Sequence, residues 1–166
     1  MTSLVLKDTP GLLRGDLRLL VRDAKTREPI RQLLIKNTIT YSALDAFVHL
    51  LAQLTGHGLI LTDFKIATLK VGTSATPPVR TQTNLLIPVF SISLSDVPGE
   101  DKILSAAPYM LKILTTLEAG DGNGNTLYEA GLFFFNGVMF ARQTHPGIPK
   151  SSAIVVDYDW RIEFTA

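Results

Sequence analysis

The chain has 166 residues, a formal net charge of +1 and no cysteine. Its length fits one domain of ordinary size, and the lack of cysteine excludes disulfide bonds, thiolate catalysis and cysteine-ligated zinc. The basic residues are scattered along the chain, so the basic patch that is typical of nucleic-acid-binding proteins is not predicted. We therefore expect no nucleic-acid partner.

Apolar residues make up 46% of the sequence and charged residues 19%, whereas charged residues are about 25% of a typical globular chain. Two interpretations fit this surplus: another subunit covers part of the apolar surface, or the chain is a β protein with a large core. No apolar run approaches the ~20 residues that span a bilayer, and the N-terminus shows no signal-peptide pattern. We expect no membrane partner.

Residues 1–15 show no clear period and contain Pro10, Gly11 and Gly15, so they are predicted to form an arm, loose or laid on a neighbour. Residues 16–166 are predicted to form a single β-rich domain. Apolar runs at 17–22 and 30–36 flank AKTREP, which predicts a hairpin. The apolar side chains of the N-terminal region that are candidate interface residues are Leu4, Leu6, Leu12 and Leu13.

One helix is predicted over about residues 41–55. Ser42 followed by Asp45 resembles a capping box, and Gly56 and Gly58 supply a stop. The predicted buried face has the i, i+3, i+4, i+7 spacing of a helix and consists of Leu44, Phe47, Val48, Leu51 and Leu54.

Strand patterns and turn residues alternate through the rest of the chain. Strands are predicted over 64–71, 85–94, 103–117, 126–135, 138–142 and 154–164, with loops at 72–83 and 144–150. Pro77 and Pro78 exclude the first of these loops from helix and central strand. Together with the hairpin this gives about eight strands, which predicts a mainly β fold, an antiparallel β-sandwich or open barrel with one α-helix and an N-terminal arm.

The segment 154–164, IVVDYDWRIEF, alternates apolar and mostly charged residues. A strand with this pattern buries one face, predicted here to comprise Ile154, Val156, Tyr158, Trp160, Ile162 and Phe164. A shift of one residue would bury the charges instead, so the register is strongly specified. The other face is predicted to meet solvent or another subunit, and its candidate interface residues are Val155, Asp157, Asp159 and Arg161.

The GDGNGN segment partly resembles a calcium-binding loop. Asp121, Asn123 and Asn125 have the 1, 3, 5 spacing of an EF-hand, but Thr126 and Leu132 occupy the positions that need Gly and Glu. A turn between two long strands explains the same residues.

Catalytic and cofactor patterns are equally weak. Arg161 lies between Asp159 and Glu163 on one strand face, so a charged exterior explains these carboxylates better than acid–base chemistry. His49 and His57 have no acidic partner at ligand spacing. The 72–83 loop lacks the Gly-Lys-Ser/Thr of a phosphate-binding loop, and no nucleophile elbow is present. No catalytic residue, metal or cofactor is predicted.

Four stretches, in order, resemble a family of small structural proteins of tailed bacteriophages. They are NTITYSALDAFVHLLAQ (37–53), LKVGTSATPPVRTQTNLL (69–86), NTLYEAGLFF (125–134) and MFARQTHPGIPKSSAIVVDYDWRIEF (139–164). Residues 1–36 have no counterpart in this resemblance, and no long fibre or receptor-binding extension is recognised in the sequence, so a complete long fibre is not expected. The residues that carry the family pattern are Asn37, Gly72, Thr73, Glu129, Ala130, Gly131, Leu132, Arg142 and Trp160.

The resemblance implies a virion protein without enzymatic activity, made in the host bacterial cytoplasm. We expect a tail, baseplate or fibre-adaptor component that forms homo-oligomers and docks on other virion proteins. A capsid cement protein is the alternative within this class, and a host-glycan-binding module is the alternative from another class. A cell-wall hydrolase is the least favoured hypothesis.

Overall fold

The computed structural model describes residues 13–52, 65–94, 102–105 and 110–164. In chain order, its strands and single helix are β1 (Leu13–Asp23), β2 (Pro29–Lys36), β3 (Thr38–Ile39), α1 (Tyr41–Ala52), β4 (Ile66–Gly72), β5 (Pro88–Ser93), β6 (Lys102–Ser105), β7 (Met110–Leu117), β8 (Thr126–Phe134), β9 (Met139–Pro149) and β10 (Ile154–Phe164). No helix in these ranges is long and apolar enough to cross a bilayer.

The strands form two five-stranded sheets, ordered β2-β1-β10-β7-β6 and β3-β9-β8-β4-β5. The strand pairings are antiparallel, and neither sheet closes on itself. The mainly β prediction is confirmed, as a sandwich of open sheets rather than a barrel. The described residues form ten strands where about eight were predicted. The predicted 103–117 strand is divided into β6 and β7, and the two-residue strand β3 was not predicted because it is too short to show a pattern.

A single core cluster joins the two sheets. The first sheet contributes Leu17 and Leu19 from β1 and Trp160 from β10, and the second contributes Leu69 and Leu132. Val156, Tyr158, Trp160 and Ile162 are all buried, as the alternation of the last strand predicts. Because β10 pairs with β1 on one side and β7 on the other, the terminal strand is the centre of its sheet.

Helix α1 begins at Tyr41 as predicted, but its N-cap is Thr40, two residues before the predicted Ser42. The backbone N–H of Ala43 donates to Thr40 Oγ1 at 3.2 Å, and the N–H of Leu44 donates to the Thr40 carbonyl. The predicted capping box is therefore wrong, since the Ser42 hydroxyl donates to Thr40 Oγ1 instead of capping the helix.

The buried face of α1 also differs from the prediction. Ala43 and Ala46 are buried, whereas Leu44 is 37% exposed and Val48 is 60% exposed. Of the predicted face, Phe47 does pack inwards, edge-to-face with the rings of Phe134 and Phe140. Small alanines let the helix lie close to the sheet, which turns the larger aliphatic residues outward. The side chain of Leu51 and all of Leu54, Gly56, His57 and Gly58 lie outside the described residues.

Two predicted boundaries are wrong. Strand β1 begins at Leu13, so residues 13–15 belong to the domain, and residues 1–12 of the predicted arm lie outside the described residues. Strand β9 runs to Pro149, so most of the predicted 144–150 loop is strand. The register shift between Leu127 and Glu129 of β8 accommodates Pro146 and Gly147 of β9.

Candidate functional site

The centre of the candidate site is the carboxylate of Glu129, on the face of β8 that points away from the main core. Glu129 is fully buried. It accepts hydrogen bonds from Arg142 Nε at 2.8 Å and from the backbone N–H groups of Leu86 and Ile87, at 3.2 and 2.8 Å. Glu129 therefore connects β8 both to β9 and to the loop that precedes β5.

Arg142 lies on β9 opposite Gly131 and is also fully buried. Besides its ion pair with Glu129, it donates to Gln82 Oε1 at 2.9 Å and to the Thr76 carbonyl at 3.0 Å. An ion pair without solvent is expensive to form unless further hydrogen bonds satisfy both groups. Here those additional bonds all go to one segment, residues 73–87, which we call the anchored loop.

Two glycines allow the anchored loop to lie directly on the sheet. A Cβ on Gly131 would be 2.9 Å from Leu85 Cδ2 and 3.0 Å from the Ala141 carbonyl oxygen. A Cβ on Gly72 would be 2.5 Å from Glu129 Oε1 and in conflict with the Ile87 carbonyl. These contacts leave no room for a side chain at either position.

The anchored loop is closed at its base and has its own small core. The N–H of Thr73 donates to the Ile87 carbonyl at 3.0 Å, and Leu85 packs with Phe133 and Met139 in a second buried cluster. Ala130 and Leu132 point the other way, into the main core. In contrast, Val79, Leu86 and Ile87 are exposed. The loop is thus held rigidly while it presents apolar side chains outward.

The structure brings together seven of the nine residues that carry the resemblance. Gly72, Thr73, Glu129, Gly131 and Arg142 contact or border the anchored loop, and Ala130 and Leu132 continue the same strand into the core. Sequence reasoning did not identify Gln82 and Thr76, which complete the bonds of Arg142. No local pattern marks them, because their role depends on where the loop crosses β9.

The other two pattern residues have structural roles elsewhere. Trp160 is fully buried in the main core. Asn37 follows β2, where its N–H donates to the Gly15 carbonyl at 2.6 Å and its side chain covers Gly15. Both residues hold the first sheet in place and do not contact the anchored loop in the described contacts.

The outward face of β10, predicted to meet solvent or another subunit, is largely buried within the chain. Val155 is fully buried, and Asp157 and Asp159 are only 6% and 7% exposed. Arg22 and Thr116, on the flanking strands, donate to Asp157. The prediction that this face meets solvent or another subunit is therefore wrong for these three residues, because they are buried within the single chain.

Asp159, the second acidic residue of that face, forms ion pairs with two basic side chains. Arg161 lies 3.2 Å from Asp159 Oδ2, and Lys112 of β7 lies 3.8 Å from it. Of the four candidate interface residues on β10, Arg161 is the one that is partly exposed. Of the N-terminal candidates, Leu13 pairs with Phe164 in the sheet, and Leu4, Leu6 and Leu12 lie outside the described residues.

The Gly/Asn/Asp turn holds a lysine ammonium. Lys150 is buried, and its Nζ donates to the Glu118 carbonyl at 2.8 Å and to Asn123 Oδ1 at 3.1 Å. Burial lowers the pKa of Lys150, although Asp121 and Glu118 nearby favour its charged form. Of the turn oxygens that a calcium loop would require, Asn123 Oδ1 therefore accepts from Lys150, and Asp121 Oδ2 accepts from the backbone N–H of Glu118.

The ionisable side chains of the described ranges do not form a metal-binding cluster. No group of three or more His, Asp or Glu side chains there could hold a metal ion. His145 is buried against Tyr158 with ring centroids 6.1 Å apart, and burial lowers the pKa of the histidine and raises that of the tyrosine.

No protein-family model, curated protein or solved structure matches the chain.

Proposed function

We propose that the chain is a non-enzymatic structural protein of a tailed-bacteriophage virion, a tail, baseplate or fibre-adaptor component that self-associates and docks on other virion proteins. The proposal starts from the resemblance of four stretches within residues 37–164. Residues from three of those stretches, among them Gly72, Glu129 and Arg142, meet at the anchored loop. Residues that are far apart in sequence and belong to one pattern are expected to share a structural task, and here they do.

The observation that carries the proposal is the use of the buried Glu129–Arg142 pair. Glu129 fixes the N–H groups of Leu86 and Ile87, whose side chains are nevertheless 47% and 54% exposed. A rigid backbone that displays apolar side chains loses little conformational entropy when a partner binds. This arrangement suits a permanent protein–protein contact better than it suits turnover of a substrate.

Apolar side chains are also exposed on other elements. Further exposed large hydrophobic residues, on strands, helix and loops, are Ile30, Leu34, Tyr41, Leu44, Val48, Val79, Val89 and Phe135. Single exposed apolar residues are ordinary, whereas several on different sides of one chain fit a subunit with several neighbours. Virion proteins have such multiple contacts.

Immunogold electron microscopy of intact particles, with antibody raised against the recombinant chain, tests the proposal. Gold at the tail or at its distal end is the expected result. Gold over the heads would instead make the chain a capsid cement protein, the alternative noted from the sequence. If gold is absent and the chain is also missing from disrupted particles, the proposal is wrong.

A further inference from the structure

Strand β2 is an edge strand with a regular, unpaired side. It pairs in register with β1 from Asp16↔Lys36 to Val21↔Arg31, and among the described residues β1 is its only ladder partner. The Asn37 N–H donates to the Gly15 carbonyl in the same register. Because antiparallel ladders alternate, Leu33 and Ile35 direct their N–H and C=O groups toward β1. Those of Gln32, Leu34 and Lys36 point to the free edge.

The side chains of β2 are also incompletely covered. Leu34, in the middle of the strand, is 71% exposed. Leu33 and Ile35, on the opposite face, are only partly buried although they pack against the main core. An edge strand that combines unpaired backbone groups with exposed apolar side chains is a template for another strand.

The other sheet edges are less suited to pairing. Strand β3 has two residues and β6 has four. Strand β5 begins at Pro88, and its ladder with β4 shifts register between Val71 and Gly72. Proline and bulges protect an edge from pairing. Of the four edge strands in the described ranges, β2 is the longest, and its residues 31–36 pair without a register shift.

We propose that β2 pairs antiparallel with β2 of a second copy, with a two-fold axis at Leu34, so that the first sheets of two copies become continuous. This inference rests on the self-association in the proposed function and assigns its surface. A two-fold contact uses the same surface on both copies. Centring it at Leu34 engages all three residues whose backbone groups point to the free edge.

The side chains of β2 are compatible with this pairing. Leu34 lies opposite Leu34 of the second copy, and Gln32 lies opposite Lys36. On the other face, Leu33 lies opposite Ile35, which extends the core across the contact. Like charges directly opposite each other would be destabilising, and this register places none of the basic residues of β2 against another. An axis at Lys36 would oppose two ammonium groups.

The first test is the mass of the full-length protein by sedimentation equilibrium. The wild-type chain is expected at twice the 18.2 kDa of one copy, and Leu34→Lys is expected to halve that mass because it places two ammonium groups at the axis. Val48→Lys, a change from an exposed aliphatic residue to lysine on helix α1, is the matched control and should leave the mass unchanged. Leu34 is exposed in the single copy, so circular dichroism should show that the variant keeps the wild-type secondary structure.

Cross-linking tests the register. The chain contains no cysteine, so Leu34→Cys introduces one thiol. A hydrogen-bonded antiparallel pair has Cα atoms about 5.5 Å apart, within the range that a disulfide spans. Oxidation should give a covalent dimer with Leu34→Cys and none with Val48→Cys, which places the thiol on helix α1.

Three outcomes would overturn the β2 pairing: a monomeric wild type, an unchanged mass for Leu34→Lys, or cross-linking that is equal at both positions. An unchanged mass for Leu34→Lys would reject the surface but leave self-association intact. A monomeric wild type would remove self-association from the proposed function as well. Neither result affects the virion assignment, which immunogold labelling tests separately.

Discussion

Arg142 and Glu129 lie on neighbouring strands, their charged groups meet at 2.8 Å, and neither side chain is exposed to solvent. The pair joins β8 to β9. Its remaining hydrogen bonds go to the loop between β4 and β5. The buried ion pair therefore fixes the conformation of the anchored loop.

Replacing Glu129 by Gln should strongly destabilise the protein. The change keeps the shape but leaves the Arg142 guanidinium buried without a counter-charge, which costs about 3–5 kcal/mol. Urea denaturation measures the loss. The control is Glu118→Gln, in an exposed pair with Arg27, where an effect below about 1 kcal/mol is expected. Equal losses for the two variants would contradict the role given to the buried pair.

Removing both charges should cost less than removing one. In the double variant Glu129→Gln/Arg142→Met, no uncompensated charge remains buried, so its loss should be smaller than the sum of the two single losses. A double-mutant cycle in urea gives this coupling. Strict additivity would show that the two side chains do not act as a unit.

Gly131→Ala should destabilise the fold by about 1–3 kcal/mol, since the new methyl group would overlap Leu85 and the Ala141 carbonyl. Gly120→Ala is the matched control, because a Cβ there meets nothing within 4 Å. Thermal melting of both variants is a sufficient measurement. A Gly131→Ala protein as stable as the control would mean that the anchored loop does not lie tightly on β8.

The terminal strand shows what alternation can and cannot predict. Its bounds, 154–164, and its buried residues Tyr158 and Trp160 follow from a period of two. The burial of Asp157 does not follow, because it depends on Arg22 and Thr116 on strands that are distant in sequence. A period indicates which face a residue lies on, and only the strand order shows what covers that face.

Helix α1 gives a second example. Its start at Tyr41 was predicted, but an apolar stripe through Leu44 and Val48 suggested the wrong buried face. The alanines of the true face carry little hydrophobic signal, although their size is what allows close packing. Likewise, Glu129 and Arg142 stood out separately in the sequence, and their pairing required the register of β8 and β9.

His145 should make stability depend on pH. Burial lowers its pKa below the ordinary 6.5, so as pH falls through 6.5 the unfolded chain takes up the proton first. Stability contributed by the neutral imidazole is therefore present above pH 6.5 and declines below it, by at most about 1.4 kcal/mol per pH unit. Urea midpoints between pH 7.5 and 5.5 should fall less for His145→Gln than for the wild type. Parallel curves would contradict this.

Lys150→Met should destabilise the turn at 118–125. The variant removes a buried ammonium that donates to Glu118 and Asn123, and hydrogen bonds from charged groups contribute about 1.5–3 kcal/mol each. Lys25→Met, at the exposed tip of the β1–β2 hairpin, provides the control and should change stability by less than about 0.5 kcal/mol. Hydrogen exchange of the turn amides locates the effect. Unaltered exchange there would refute it.

The virion assignment is tested most directly by peptide mass spectrometry of phage particles purified on a density gradient. The proposed function predicts that peptides of this chain co-purify with infectious particles, in proportion to known tail proteins and in several copies per particle. If particles with a complete set of tail and head proteins lack these peptides, the chain is not a structural component of the virion.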